Sequence, residues 1–349
     1  MPRLPHRKYL IGGGIVLLAV VLVAVGLFSG RDEPTLPAAA PPPTPTPDPV
    51  CPLTGEDIPK KVDVSRAAIA VKIENSPDAR PQSGLEEADV VYEEIVEGGI
   101  TRFMAIFHCE DSKMAGPVRS ARFDDPKIAK PYTRVLAFSG GNSIVERELN
   151  RQRMIALQEN DGGGSLYRVP PGVLELHNLF GDTSKIRKLP PSKKARGPRT
   201  DLFQFGELPE TAKKARRVTI HFTSSNAIEY RWKKDSWQRF EAGAPFQSAT
   251  GGQISTPNLL IQEVEVNNSP KIVDSAGNPS PDISLMGKGK AVLFRDGKFQ
   301  KGIWTIEKEG NEAVFTTKDG QPFVFKPGSI WIELVPSKKG SVKGSFSFK

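Results

Sequence analysis

Residues 80–122 read RPQSGLEEADVVYEEIVEGGITRFMAIFHCEDSKMAGPVRSAR and place ionisable side chains between β-forming runs such as VVY, IV and FMAIF. The ionisable residues that interrupt these runs are Arg80, Asp89, Glu93, Glu97, Arg102, His108, Arg119 and Arg122. A strand that only closes a core has no need of such groups, because burying an unpaired charge is costly. The stretch therefore indicates charged strands that either border solvent or form a paired site.

Gly98 and Gly99 separate two of these β-forming runs and predict a hairpin with a two-residue loop. Residues two apart along a strand share a face of the sheet. In this register one face carries the apolar residues Val90, Tyr92, Val96, Phe103, Ala105 and Phe107. The other face carries Asp89, Glu93, Glu97, Arg102 and His108, with Arg102 diagonally between the two glutamates. A slip of one residue would break this arrangement.

Downstream of the hairpin, residues 135–139 predict a strand, and a glycine turn at 140–141 leads into a helix over residues 144–157. A strand, a glycine turn and a helix N-terminus in this order form a common anion-binding arrangement, because free backbone amides converge there. The alternative is a plain connection in which Asn142 or Ser143 caps the helix.

From residue 218 onward, short β-forming runs alternate with Asp-Gly and Pro-Gly turns, which favours an antiparallel β sandwich or partial barrel. The predicted fold class is therefore a mixed α+β protein. Its parts are an N-terminal α/β domain at residues 52–190, a basic connection at 191–216, a mainly β C-terminal domain at 217–336 and a basic tail at 337–349.

The N-terminal end predicts a membrane anchor. Residues 10–28 carry no charge and follow a short basic end at residues 1–9. About 20 apolar residues span a bilayer core, and basic residues hold the short end in the cytoplasm. A cleaved signal peptide is the alternative, although its apolar region is usually only about 7–15 residues long. Both alternatives place the chain after Gly30 outside the cytoplasm.

Residues 31–50 contain eight prolines and predict a semi-rigid polyproline spacer. Cys51 follows this spacer after Pro-Asp-Pro-Val and lacks the small-residue motif that precedes a lipidated cysteine. We therefore expect a protein helix, not a lipid, to hold the chain at the membrane. Cys51 and Cys109 are the two cysteines of the chain, and outside the cytoplasm they are either bridged or free.

Three segments of the opening stretch resemble the YerB-type bacterial lipoproteins, namely RPQSGLEEADVVYE, EGGITRF and GPVRSAR. The C-terminal segments GKGKAVLFRDGK, GIW and PGSIWIELVP resemble the same family, so that the resemblance extends over roughly residues 52–336. The resemblance implies an extracytoplasmic protein with two domains. It implies no reaction, because the family has no defined function.

The candidate site is a ligand-binding cleft that contains Asn75, Arg80, Glu93, Glu97, Arg102, Arg119, Ser120 and Arg122. Arginine forks bind carboxylate and phosphate groups bidentately, and we expect Arg80, Arg119 and Arg122 to converge with Arg102 near the glycine turn. The structural alternative is that these arginines only neutralise the glutamates and organise the fold.

The expected function is the binding of an anionic wall polymer or an envelope protein, in an accessory role at the cell wall. The alternatives are a hydrolase or transferase that uses Glu93, Glu97 and His108 on a wall polymer, and a structural adaptor for envelope proteins. The four histidines and two cysteines have no metal-ligand spacing, and no cofactor is expected. A nucleic-acid partner is not expected either, since the chain has no recognition motif.

Overall fold

The computed structural model describes residues 49–169, 177–224 and 227–349. The predicted basic end (1–9), the predicted anchor (10–28) and the spacer up to residue 48 lie outside these ranges. Within the ranges that are described, no helix is long and apolar enough to cross a membrane. Residues 49–349 form one compact unit.

The strands of the first half are β1 (Ile69–Glu74), β2 (Val90–Ile95), β3 (Thr101–Phe107), β4 (Val135–Ala137), β5 (Ile155–Leu157), β6 (Leu166–Arg168), β7 (Leu179–Gly181), β8 (Gln204–Phe205) and β9 (Lys213–Lys214). The strands of the second half are β10 (Arg217–His221), β11 (Ala227–Lys233), β12 (Ser236–Glu241), β13 (Ala244–Pro245), β14 (Ser255–Thr256), β15 (Asn258–Val273), β16 (Pro279–Ser284), β17 (Gly287–Arg295), β18 (Lys298–Ile306), β19 (Val314–Thr317), β20 (Val324–Phe325), β21 (Ile330–Pro336) and β22 (Ser345–Phe348).

The α-helices of the described residues are α1 (Asp125–Ala129), α2 (Ser143–Arg151) and α3 (Thr183–Lys188). Short 3-10 turns occupy Pro77–Ala79, Leu85–Glu87, Glu97–Gly99, Glu159–Asp161 and Ser192–Lys194. The described chain is therefore mostly strand. The predicted mixture of α and β structure is not confirmed, because the N-terminal segment builds a sheet with only these short helices around it.

One twelve-stranded sheet runs through both predicted domains. Its main path is β19-β18-β17-β15-β21-β2-β3-β1-β4-β5, with β16 paired to β15 and β9 to β18. The join is the parallel pairing of β2 with β21, and β21 also pairs in parallel with β15. The expectation of a purely antiparallel C-terminal segment is wrong for this reason. Strands β2 and β3 are buried along their whole length, as expected for the centre of a sheet.

A six-stranded sheet, in the order β13-β12-β11-β10-β22 with β14 beside β12, packs on one face of the large sheet. Aromatic contacts join the two layers: Phe103 meets Phe246, and Trp237 meets Phe294. The outermost strand, β22, lies within the segment predicted as a basic tail. Two-stranded pairs β8–β20 and β6–β7 complete the described sheets.

The helix predicted over residues 144–157 ends early. Helix α2 ends at Arg151, Arg153 has a left-handed φ of 56°, and residues 155–157 form strand β5 parallel to β4. A left-handed residue stops helix propagation, so the apolar residues that follow join the sheet edge instead. The predicted Asp-Gly turn between β17 and β18 is confirmed: Asp296 and Gly297 have φ of 51° and 64°.

The predicted hairpin between β2 and β3 exists, but its register is shifted by one residue. Glu93 faces Phe103, and Glu94 faces Arg102. The loop contains three residues, since Val96 donates its backbone amide to Ile100 at 2.9 Å around Glu97, Gly98 and Gly99. Glu93 therefore lies on the face opposite Arg102, and the predicted shared face of Glu93, Glu97 and Arg102 is wrong.

Candidate functional site

An open cleft of about 410 Å³ lies beside the hairpin loop, on the face of the large sheet that carries Arg102. Five of the eight predicted site residues line it, namely Glu97, Arg102, Arg119, Ser120 and Arg122. Its other walls are the glycine turn before α2, with Gly141 and Asn142, and the tip of the β15–β16 hairpin. We call this hairpin tip, residues 268–281, the arm.

Backbone pairing on two sides holds the arginine-bearing segment in the cleft. Arg119 donates its amide to the carbonyl of Lys72 on β1 at 2.9 Å, and Ser139 donates its amide to the carbonyl of Arg119 at 2.9 Å. The amide of Ala121 donates to Gly140 at 3.0 Å. Residues 119–121 therefore form an extended bridge between the sheet and the glycine turn.

Glu74, at the end of β1, accepts from two of the arginines. Its Oε2 atom lies 2.6 Å from Nε of Arg119 and 3.4 Å from a terminal nitrogen of Arg102. Burial acts to raise the pKa of Glu74, but the attraction of Arg102 and the hydrogen bond from Arg119 lower it to about 2. One ionised carboxylate thus pairs with two guanidinium groups and leaves one positive charge uncompensated.

Arg122 pairs with Glu97 of the hairpin loop, and Nε of Arg122 lies 2.6 Å from Oε2 of Glu97. The other carboxylate oxygen of Glu97 accepts from the hydroxyl of Ser280 on the arm. The backbone amide of Ile283 donates to Asp124 at 2.7 Å, which fixes the base of the arm. Glu97 therefore connects the hairpin loop, the arginine segment and the arm.

Arg102 is only 5% exposed at the floor of the cleft. Burial, followed by repulsion from Arg122, lowers the pKa of Arg102 to about 10. Its Nε atom has no hydrogen-bond partner within the described ranges. Deeper still, burial lowers the pKa of Lys72 to about 8, although Lys72 forms ion pairs with Glu94 and Asp125. Positive charge is thus crowded beneath the cleft.

Arg119 is the most open of the three arginines, with 24% of its side chain exposed. Its Nε atom is committed to Glu74, and its two terminal nitrogens have no partner among the residues that the structure describes. The N-terminus of α2 borders the same cleft, and Asn142 caps it by accepting from the amide of Ile144 at 2.9 Å. Both features supply donors for an anion.

The remaining three predicted site residues, Asn75, Arg80 and Glu93, lie outside this cleft. Asn75 donates to Thr101 at 2.8 Å and to Glu93 at 3.4 Å, and Nε of Arg80 donates to Asn75 at 3.2 Å. Arg80 also forms an ion pair with Glu241 of β12. Arg80 therefore does not converge with Arg102, Arg119 and Arg122, because the one-residue shift sends the Glu93 side to the six-stranded sheet.

Glu93 pairs with a residue that the sequence did not single out. Its Oε2 atom lies 2.6 Å from a terminal nitrogen of Arg239 on β12, and both side chains have no exposed surface. Arg239 also lies 3.6 Å from Glu333 and 2.9 Å from the hydroxyl of Tyr230. This buried network joins the two sheets, and its side chains Glu93, Arg239 and Glu333 are shielded from solvent.

A sequence signal for these buried charges was present. Lys72 lies between apolar residues in IAVKIE, and Glu333 is the single charge inside IWIELVP. Such isolated charges in interior strands indicate a buried pair. Arg239 lies in SWQRFE, where polar and apolar residues alternate and nothing indicates a buried charge. The sequence of the arm likewise did not indicate that its residues line the cleft.

The three residues of the hydrolase alternative are not brought together. Glu97 lines the cleft, Glu93 is buried against Arg239, and His108 packs under β1, where its Nε2 atom lies 3.1 Å from the carbonyl of Val64. Burial, followed by the nearby Arg187 and Arg66, lowers the pKa of His108 to about 4. None of the clusters of His, Cys, Asp and Glu in the described ranges has metal-binding geometry.

The two cysteines form a disulfide, Cys51–Cys109, which ties the first described residues to the end of β3. The sulfur of Cys51 is therefore committed to Cys109.

This architecture defines a mostly β protein built around two large sheets, with an arginine-lined cleft beside a glycine turn. Residues 53–196 match the N-terminal domain of a family described as "Protein of unknown function (DUF3048)", and residues 218–332 match its C-terminal domain. The chain belongs to this family.

The relatives agree with the assignment. The chain is 31% identical over 294 residues to the "Putative lipoprotein YerB" of Bacillus subtilis, a match that covers 82% of this chain and 86% of the relative. The crystal structure of the YerB protein from Bacillus subtilis superposes with a TM-score of 0.67 at 29% identity, covering 85% of this chain and 98% of that one. The resemblance drawn from the sequence motifs is confirmed.

Proposed function

We propose that the protein binds an anionic ligand of the cell envelope in the cleft between Arg119, the glycine turn and the arm. One observation carries this proposal: the Arg119 side chain is 24% exposed, and among the residues that the structure describes its two terminal nitrogens have no partner. Its Nε atom pairs with Glu74, which the buried Arg102 also contacts. If Arg119 served only to neutralise Glu74, we would expect its guanidinium to bind that carboxylate through two nitrogens and not through Nε alone.

The proposed location is the outer side of the cell membrane. The name lipoprotein, which the Bacillus relative carries, supports a membrane-associated protein outside the cytoplasm. In this chain the proposed tether is the helix predicted at residues 10–28, since the sulfur of Cys51 is bonded to Cys109. Protease added to intact, wall-stripped cells should digest the folded part, and complete protection would contradict this location.

The experiment that tests the proposed function is co-sedimentation of the full-length protein, in neutral detergent, with insoluble envelope material. Arg119→Ala should weaken binding by about 1.5–3 kcal/mol, the range for a hydrogen bond to a charged group. Folding should survive, because Glu74 keeps Arg102 as a partner. Arg122→Ala is less suitable, since it would strip the buried Glu97 of its arginine.

Arg199→Ala is the matched control. It removes the same charge from an exposed arginine, which pairs with Asp201 and Glu312 and does not line the cleft. If the wild type and Arg119→Ala bound envelope material equally well, the cleft would be refuted as the binding site. The same would follow if Arg199→Ala lost as much binding affinity as Arg119→Ala.

The hydrolase alternative gains no support from the geometry, because Glu93, Glu97 and His108 do not share a cavity. If the wild type bound no envelope material, the proposed function would be replaced by the alternative of a structural adaptor for envelope proteins.

A further inference from the structure

The charges around the cleft select the charge of the ligand. The inner wall holds Arg102, Arg119 and Arg122, and its carboxylates are Glu74 and Glu97. Three cations against two anions leave one positive charge in excess. Arg119 and Arg102 line the same cleft, and within the described residues neither the terminal nitrogens of Arg119 nor the Nε atom of the nine-tenths buried Arg102 has a partner.

The opposite wall is negative. Asp274, at the tip of the arm, lines the cleft and keeps its carboxylate ionised, because hydrogen bonds from Asn278, followed by the amide of Ala276 and the charge of Arg122, lower its pKa. A ligand that entered with two negative charges would place the second near this carboxylate. A ligand with a single negative charge at Arg119 would lack this additional repulsion.

The donors suit a tetrahedral anion more than a planar one. A carboxylate would present both of its oxygens to the Arg119 fork in one plane. The cleft offers further donors on other sides, since the glycine turn leads into the α2 N-terminus and Ser275 lines the arm wall. Asp274 adds an acceptor on the arm wall, which a hydroxyl group beside a phosphate could reach.

We infer that the cleft binds a monoanionic phosphodiester with hydroxylated substituents, and discriminates against dianionic phosphomonoesters through Asp274. This inference rests on the proposed function and specifies the chemical class of its ligand. Arg119 supplies the positive charge, the amides at the start of α2 and the serine hydroxyl supply further hydrogen bonds, and Asp274 repels a second charge.

The test is calorimetric titration of the full-length protein in neutral detergent at pH 8 with three matched probes. The diester is glycerophosphoglycerol, the monoester is glycerol 3-phosphate, which is a dianion at this pH, and the carboxylate is glycerate. The diester should bind at least about fivefold more tightly than the monoester. This ratio corresponds to the repulsion, screened by solvent, between the second negative charge of the monoester and the carboxylate of Asp274. Arg119→Ala should abolish the binding of both phosphates.

Asp274→Asn supplies the sharper test, because it removes the charge and keeps the size of the side chain. The monoester should gain about fivefold in affinity, whereas the affinity of the diester should change by less than about twofold. An unchanged preference in this variant would refute the role of Asp274.

Equal or tighter binding of the monoester by the wild type would refute selection by charge, and tighter binding of glycerate would refute the phosphodiester class. Envelope material that is retained through Arg119 while none of the three probes binds would refute this inference and leave the proposed function standing. If neither the probes nor envelope material bind, both are refuted.

Discussion

Arg239 lies between the two sheets with no exposed surface, and its guanidinium is enclosed by aromatic rings. Its central carbon lies 4.7 Å from the ring centre of Phe246 and 5.3 Å from that of Phe103. Burial, followed by repulsion from Glu93, raises the pKa of Glu333 well above its usual value. Burial thus favours the protonated form of Glu333, while Arg239 and Arg80 pair with Glu93 and Glu241.

Replacing Arg239 by alanine should destabilise the protein by about 3–5 kcal/mol, because the buried Glu93 would lose its counter-charge. The matched change Glu333→Gln should cost less than about 1 kcal/mol, since glutamine has the shape of a protonated glutamate and can still accept from Tyr230. Denaturant unfolding of both variants measures the difference. Similar losses in the two variants would show that the charge of Arg239 is not what joins the sheets.

His108 makes the stability depend on pH. Its folded-state pKa of about 4 lies below the ordinary 6.5, chiefly because of burial, so the unfolded chain binds a proton first as the pH falls. The folded state therefore loses stability between pH 6.5 and 4. Asp89, whose pKa burial raises to about 7, acts in the opposite direction over an overlapping range.

The variant His108→Gln isolates the contribution of the histidine, because the glutamine amide can donate to the carbonyls of Val64 and Arg66 and does not titrate. Between pH 7 and 4.5 the variant should lose about 2 kcal/mol less stability than the wild type. Urea unfolding at the two pH values checks this, and parallel losses would show that His108 does not titrate on unfolding.

At the scale of the element, the loop of the β2–β3 hairpin decides what the cleft contains. Gly98 and Gly99 have φ of 69° and 73°, so the three-residue loop needs two left-handed positions. This loop carries Glu97 into the cleft, where it holds Arg122 and the arm. A two-residue loop would have placed Glu93 on the same side as Arg102.

Gly98→Val should destabilise the protein by about 1–2 kcal/mol, because a β-branched residue resists the left-handed region. No atom lies within 4 Å of a Cβ built at this position, so the cost comes from the backbone and not from a clash. Gly98→Asn should cost less than half as much, since asparagine tolerates this conformation. Thermal unfolding distinguishes the two, and an equal cost would point to a lost contact instead of backbone strain.

At the scale of the whole molecule, the disulfide fixes the start of the described chain to the centre of the large sheet. Cys51 and Cys109 are separated by 58 residues, and the segment between them contains β1, β2 and β3. A bridge across a loop of this length reduces the freedom of the unfolded chain.

The double variant Cys51→Ser, Cys109→Ser should lose about 2–4 kcal/mol of unfolding free energy. Reductant should lower the stability of the wild type by a similar amount and leave the double variant unchanged, as denaturant unfolding with and without reductant would show. If reductant did not lower the unfolding free energy of the wild type, this account would be contradicted.

The amino-acid sequence determined the local features of the protein: the two strands of the β2–β3 hairpin, the strand β4, the Asp-Gly turn and the family. These depend on short-range patterns and on turn chemistry, which neighbouring residues specify. Only the tertiary structure decided the hairpin register, the passage of one sheet through both segments, the pairing of Glu93 with Arg239 and the arm over the cleft. Each depends on which distant strand lies beside which. Parallel pairing of β2 with β21 leaves no local mark in either strand, because the side-chain alternation of a strand is the same whichever partner it meets.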